Sequence, residues 1–455
     1  MHKAGLLSNE VLSRRLDDYC TTLSRQGYLN GCVLAASEGR IALCKGYGMA
    51  NFEHDIPNTP RTAFRIGSIT KQFTAMAILM MYDQKLLDLY DPLSKYMPEF
   101  PDGDRITIHH LLTHSSGIPN FTSSEAYWSN IRLASGIEET IASFADKPFL
   151  FEPGERFDYS NSGYVLLSGI IERVSKLSYE DYIYRTILKP LGMIQSGHDS
   201  ARKLVKNRAS GYELWGSVVN AEFIDMSIPS GAGALYSTIE DLYIWGLSLH
   251  THRLIKESTY VRMTTPYMEH YGYGLFLYNE EINGRSRRVA GHGGGINGFM
   301  SEMKHYRDED LTIIVLSNLA SNEVGRICTA LARIALGEEV APPPSYETIR
   351  VHDRVLKAAA GSYSSPDAPD APFSLSYENG KLYLAQRTWF KVELFPYREE
   401  SGILLFYPNG VEGKVTYTDD GELKKLRIEM FGGVKTAICE RSNREAEDIL
   451  FNYKK

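Results

Sequence analysis

The chain has 455 residues, of which 43% are hydrophobic and 23% charged, with a formal net charge of -7. That length exceeds one ordinary core and points to two domains, and the composition is that of a water-soluble globular protein. The acidic balance, with no concentrated basic stripe, excludes a nucleic-acid partner.

The first segment, MHKAGLLSNEVLSRRLDDYC, lacks the unbroken apolar core of a secretory signal, and no apolar run is long enough to span a bilayer. A cytoplasmic address is therefore expected. Five cysteines (Cys20, Cys32, Cys44, Cys328, Cys439) are an odd number without metal-ligand spacing, and read as free thiols in a reducing compartment.

CVLAASEGRIALCKGYGMAN predicts a hairpin near the start, and RRVAGHGGGINGFMSEMKHYRDEDLTIIVLSN predicts three more strands ahead of a last helix, RICTALARIAL. Two early and three late strands make one antiparallel, five-stranded type of sheet, closed by the two ends of the segment around an inserted helical region. This is an α+β domain over residues 1–340. GEEVAPPPSYE then supplies a Pro-rich linker at 341–347. Residues 348–455 carry alternating runs such as FSLSYENGKLYLAQ and GKVTYTDDGELKKLRIEMF, broken by Asn-Gly and Asp-Asp-Gly turns. That pattern predicts a small antiparallel β-barrel with a packed apolar interior.

Three motifs carry chemistry. Within FRIGSITKQFTAMAILMM, Ser68 and Lys71 stand three apart at the mouth of a run that is apolar on every side, so a buried helix begins there with both residues on one face. A serine hydroxyl needs a base to become a nucleophile, and burial lowers a lysine's pKa enough to make it one. The same spacing recurs at Ser200/Lys203 and Ser301/Lys304 in polar or strand-like contexts, where it is coincidence. The second motif, Tyr159-Ser160-Asn161, follows a Pro-Gly turn and opens another apolar helix. Its tyrosine can share a proton with a lysine, and its asparagine can hold a substrate amide. The third, His292-Gly293-Gly294-Gly295, puts glycines in a strand, where a ligand or another backbone must approach closely. Such an edge offers N–H groups to an extended substrate and to an oxyanion.

Together these motifs resemble the three-part signature of serine β-lactamases and penicillin-binding proteins, with Tyr and His variants like those of the class C β-lactamase branch, D-aminopeptidases, DD-peptidases and family VIII-type esterases. LLTHSSGIP (111–119), GYGMAN (46–51), SGAGALYSTIEDLYIW (230–245) and YGYGLFL (271–277) are similar to that family's landmarks in the same order. The C-terminal part is similar to a lipocalin-like domain.

The resemblance implies a serine hydrolase with an acyl-enzyme on Ser68, Lys71 as base and Tyr159 as the group that protonates the leaving atom. It further implies Asn161 and His292 as substrate-positioning residues, and an oxyanion hole from the N–H groups of Ser68 and the Gly293–Gly295 stretch. No metal and no organic cofactor are expected. The expected ligands are small molecules or peptides, with β-lactams as covalent ligands, and a homo-oligomer is left open. A peptidase or amidase for small or D-amino-acid-containing peptides is the expected activity. A class C-like esterase or β-lactamase, an acyltransferase or peptide cyclase, and a non-catalytic peptide binder are the alternatives.

Overall fold

A computed structural model describes residues 9–440 apart from 366–367, 387–389, 401–402, 421–422 and 431–432. The first eight residues, the start of the segment MHKAGLLSNEVLSRRLDDYC, lie outside the described residues. So do the last residue of the Asp-Asp-Gly turn and the Cys439 side chain.

Strands β1 (Gly31–Ser37), β2 (Arg40–Tyr47), β3 (Phe276–Ile282), β4 (Arg285–Ile296), β5 (Phe299–Tyr306) and β6 (Leu311–Ser317) form one antiparallel sheet in the order β3-β4-β5-β6-β1-β2. The early hairpin thus docks on the late strands, with Gly31 opposite Ser317 and Ser37 opposite Leu311. The five expected strands are joined by a sixth, β3, beside β4. β1 and β6 are buried along nearly their whole length because both faces of the sheet are covered. Alternate side chains divide between the faces. Cys32, Leu34, Ile314 and Leu316 meet the large helical cluster. Val33, Ala35, Ile313 and Val315 meet α1 (Asn9–Arg25) and the last helix of this part, Val324–Ala335.

On the first face lie α2 (Thr70–Asp83) and α3 (Asn161–Ser175). Every residue of α2 from Thr70 to Leu79 is buried, as its all-round apolar sequence demands. Trp245 stacks on Phe73 at 4.0 Å between ring centres and donates its indole N–H to Gln72 at 2.7 Å, which satisfies a buried amide.

Eight antiparallel strands from Gly361–Ser365 to Gly433–Glu440 close a barrel, with Ser364 opposite Ile438 at the seam. Asn379 and Gly380 both have positive φ, 50° and 84°, between the paired Glu378 and Lys381. This is the two-residue turn that the Asn-Gly pair specifies. The barrel's apolar cluster includes Tyr363, Phe373, Leu384, Phe406 and Leu426, and it takes in Leu214 from outside. Leu214 belongs to a hairpin in which Tyr212–Leu214 pairs with Val218–Asn220. The tip of that hairpin holds the barrel through Gly216 N–H donating to Lys391 O at 2.6 Å. Among the described residues, no helix is long and apolar enough to cross a membrane.

Candidate active site

Gly67, at φ 49°, turns the chain out of the short strand Phe64–Arg65 into a one-turn 3-10 helix, Gly67–Ile69, that runs straight into α2. Ser68 sits in that turn and Lys71 one helical turn on, which puts Lys71 Nζ 3.1 Å from Ser68 Oγ. Lys71 is 0% exposed, whereas Ser68 is half-buried, so the amine is sealed and the hydroxyl reachable.

Burial pushes the Lys71 pKa well below the usual lysine value. A neutral amine has two hydrogens and one lone pair. Asn161 Oδ1 and Ala232 O, each 2.8 Å away, take the hydrogens. In that state the lone pair points at Ser68 Oγ 3.1 Å away, whereas the ammonium donates to it. The Tyr159 and Tyr164 rings lie 4.8 and 5.5 Å from Nζ, and their faces stabilise the ammonium once the proton arrives.

The Tyr159 phenol hydrogen-bonds the Ser68 side chain. Its desolvated surroundings raise its pKa above the ordinary tyrosine value, and the bond to Ser68 offsets this only in part, so the phenol keeps its proton. The hydroxyl, amine and phenol of the first two motifs therefore converge, and the two titratable partners have pKa values pushed in opposite directions. This is the pattern of an acid/base pair.

Asn161 opens α3. Its backbone N–H donates to Asn120 Oδ1 and its Nδ2 to Thr122 Oγ1, both at 3.1 Å, while Oδ1 accepts from Lys71. Both ends of the side chain are thus committed to protein groups, and it holds the amine in place. His292, 3% exposed, has Nδ1 2.5 Å from Gly293 O and Nε2 3.1 Å from the Tyr271 hydroxyl. A carbonyl only accepts, so Nδ1 carries the proton and Nε2 accepts from Tyr271. Burial, then Lys71, pulls the His292 pKa down to about 3, and the ring is neutral.

The three glycines alternate across the strand. A Cβ on Gly294 would lie 2.1 Å from Ile66 O and 2.9 Å from Ser68 N, and one on Gly67 would lie 2.8 Å from Gly295 N. Only bare backbone lets β4 pass this close to the Ser68 turn. The open side of Gly293 faces Glu302 on the other side of the sheet, 2.7 Å from where its Cβ would be. β3 pairs with β4 only as far as Gly291, opposite Phe276. β4 is an inner strand up to that point, and among the described residues no strand flanks 292–296 on that side.

The other two Ser-x-x-Lys pairs are engaged elsewhere. Lys304 bonds Glu280 at 2.6 Å and Thr329 at 2.7 Å, Ser301 Oγ donates to Ile66 O at 2.8 Å, and Lys203 pairs with Glu180. Among the described residues, no group of three or more His, Cys, Asp or Glu is arranged to hold a metal ion.

Sequence reasoning gave no role to the Ala232 carbonyl, His114, Tyr164 or Tyr271, all of which line or brace this site. Three lie in stretches noted for their family likeness, SGAGALYS, LLTHSSGIP and YGYGLFL. The signal was present without an assignable chemistry.

The Beta-lactamase family model matches residues 16–337. The chain belongs to the β-lactamase family. It is accordingly a serine hydrolase of the β-lactamase and penicillin-binding-protein type. Penicillin-binding protein 4* of Bacillus subtilis (strain 168) is 30% identical over 416 residues, covering 85% of this chain and 90% of that protein. The solved structure of an octameric penicillin-binding protein homologue from Pyrococcus abyssi is 29% identical, with a TM-score of 0.64, over 94% of this chain and 99% of that one. A D-amino acid amidase from Ochrobactrum anthropi SV3, solved with D-phenylalanine, has the same fold (TM-score 0.63, 21% identity, 72% of this chain and 98% of that one).

Proposed function

We propose that this β-lactamase-family protein is a peptidase or amidase of the penicillin-binding-protein type, which forms an acyl-enzyme on Ser68 from small or D-amino-acid-containing peptides. The observation that carries this reading is the sealed Lys71, whose pKa burial lowers and whose amine, held by Asn161 Oδ1 and Ala232 O, lies 3.1 Å from a reachable serine hydroxyl.

In the proposed sequence, Ser68 Oγ forms a bond to the substrate carbonyl carbon as its proton passes to Lys71 Nζ. The carbonyl oxygen becomes an oxyanion beside the Ser68 and Gly295 N–H groups. The C–N bond then breaks, and Tyr159 supplies the proton the leaving amine needs. Water returns along the same path in reverse to release the acid and restore Ser68. His292, as a neutral imidazole, brings no charge to meet a free carboxylate. That favours substrates whose reactive end is an amide or ester within a chain. The likeness to penicillin-binding proteins and to the fold of a D-amino acid amidase supports the D-configured amide.

The test pairs covalent labelling with turnover. Intact mass after incubation with a penicillin or a fluorophosphonate should show a single adduct that Ser68→Ala abolishes. The same variant should lose at least about a thousandfold in kcat on a D-amino acid amide. Wild-type turnover of that amide by Ser68→Ala overturns the assignment. Turnover of p-nitrophenyl esters alone would place the enzyme with the esterases instead.

A further inference from the structure

Tyr159 must hold its phenol against Ser68 from a loop, residues 152–160, that has no regular structure of its own. Its support is a second loop. Gly154 N–H donates to Ser115 O at 2.7 Å, Asp158 N–H to His114 O at 2.8 Å, and Ser160 N–H to His114 Nδ1 at 3.2 Å. His114 thus takes the backbone N–H on either side of Tyr159, one with its carbonyl and one with its ring. The ring also lies against the Tyr159 ring, 4.3 Å between centres at 36°.

This arrangement is held against local preference. His114 has φ 55°, in the left-handed region, and among the described residues nothing accepts from its buried Nε2. With Nδ1 accepting, Nε2 must carry the proton, and the imidazole packs among the rings of Tyr271, Tyr164 and Phe157, 4.7, 5.1 and 5.7 Å between centres. A strained backbone and an unpaired buried donor at one residue, beside the reacting groups, point to a role that outweighs both.

We propose that His114 is the positioning residue for Tyr159, fixing the phenol by accepting from the N–H groups of Asp158 and Ser160 and by backing its ring. This rests on the reading of Tyr159 as the proton donor. Burial, together with Lys71 and His292 nearby, holds the His114 pKa well below the usual histidine range, so Nδ1 remains an acceptor throughout the working range. A mere filler and a positioning acceptor respond oppositely to substitution. His114→Phe keeps the ring and its volume but loses the acceptor. His114→Asn loses the ring but puts Oδ1 where Nδ1 was, and asparagine tolerates the left-handed backbone.

The experiment measures kcat and KM on a D-amino acid amide, the rate of acylation by a fluorescent penicillin and the thermal midpoint for each variant. His114→Phe should lower kcat and the acylation rate about a hundredfold with KM within about threefold, the scale of an ångström's misplacement. His114→Asn should restore both rates to within about tenfold of wild type. Should His114→Phe fail to fold, His114→Gln, whose acceptor is one atom too far out, takes its place. In a Tyr159→Phe background, His114→Phe should add no further loss. The opposite order of the two variants, a fully active Phe variant, or an additive loss in the double variant overturns the proposal. A fully active Tyr159→Phe single variant instead overturns the reading of Tyr159 on which it rests.

Discussion

At the scale of single residues, the site depends on two pKa values driven apart by the same burial. In the mechanism proposed above, Lys71 must be neutral to accept the Ser68 proton, so activity is expected to fall as pH drops through its depressed pKa. Tyr159 must be protonated, so activity falls again only above the ordinary tyrosine value. The expected profile of kcat/KM has its acid limb well below 10.5 and its alkaline limb above the ordinary tyrosine value. A rate still climbing at pH 10 would contradict the sealed amine. His292, at about 3, does not titrate in that range. Glu302, pushed up to about 7 by burial behind the glycine strand, does, and Glu302→Gln should leave the limb where it is.

Gly294→Ala tests the close approach. Its methyl would meet Ile66 O and the Ser68 turn. The expected outcome is a loss of about 1–3 kcal/mol in denaturant unfolding, with kcat down by more than about tenfold. Ser68 and Lys71 were legible in the sequence because their meeting is a local fact of one helical turn. The glycines were legible because a bare strand segment demands a close neighbour. The Ala232 carbonyl was not legible, since a backbone oxygen leaves no mark in side-chain chemistry. His114 was not either, because its partners come from a loop some forty-five residues away.

At the scale of elements, the period-2 division of β1 and β6 between two apolar clusters explains why their sequences read as continuous apolar runs. β3 escaped notice because Phe276–Ile282 alternates only partly and ends in Asn279, Glu280 and Glu281 before its last apolar residue. The hairpin at 212–220 was equally hidden, its two strands having only three residues each. Its Leu214 nonetheless sits in the barrel core at 9% exposure. The same hairpin reaches the other way. Gly211, just before it, lies 2.6 Å from where a Gly298 Cβ would be, and Asn297 Nδ2 donates to Glu222 O at 2.9 Å. Leu214→Ala should cost about 2–5 kcal/mol and split a single calorimetric transition into two. An unchanged single transition would show that the hairpin does not join the two cores.

At the scale of the whole molecule, a sheet made from both ends of its segment carries α2 and α3 on one face and the glycine motif on its own strand β4, so residues 68, 159 and 292 meet although they are far apart in the chain. That closure was legible from the placement of strands at the two ends. The barrel was legible from its alternation and its Asn-Gly turns. How barrel and sheet are joined was not, because the join uses a short hairpin, whose Gly216 N–H donates to Lys391 O, and the Arg326–Glu412 ion pair at 3.0 Å. None of these has a local sequence signature.

Because β3 pairs with β4 only as far as Phe276 opposite Gly291, no described strand flanks the last residues of β4, the ones beside Ser68. A ladder has a direction. A substrate laid along it in the antiparallel sense brings one particular carbonyl to the hydroxyl with its side chains pointing to fixed sides, whereas the same peptide written backwards, or built from mirror-image residues, presents a different face. For the peptidase or amidase proposed above, a choice between stereoisomers would begin with where a neighbouring strand ends, before any side-chain pocket is consulted.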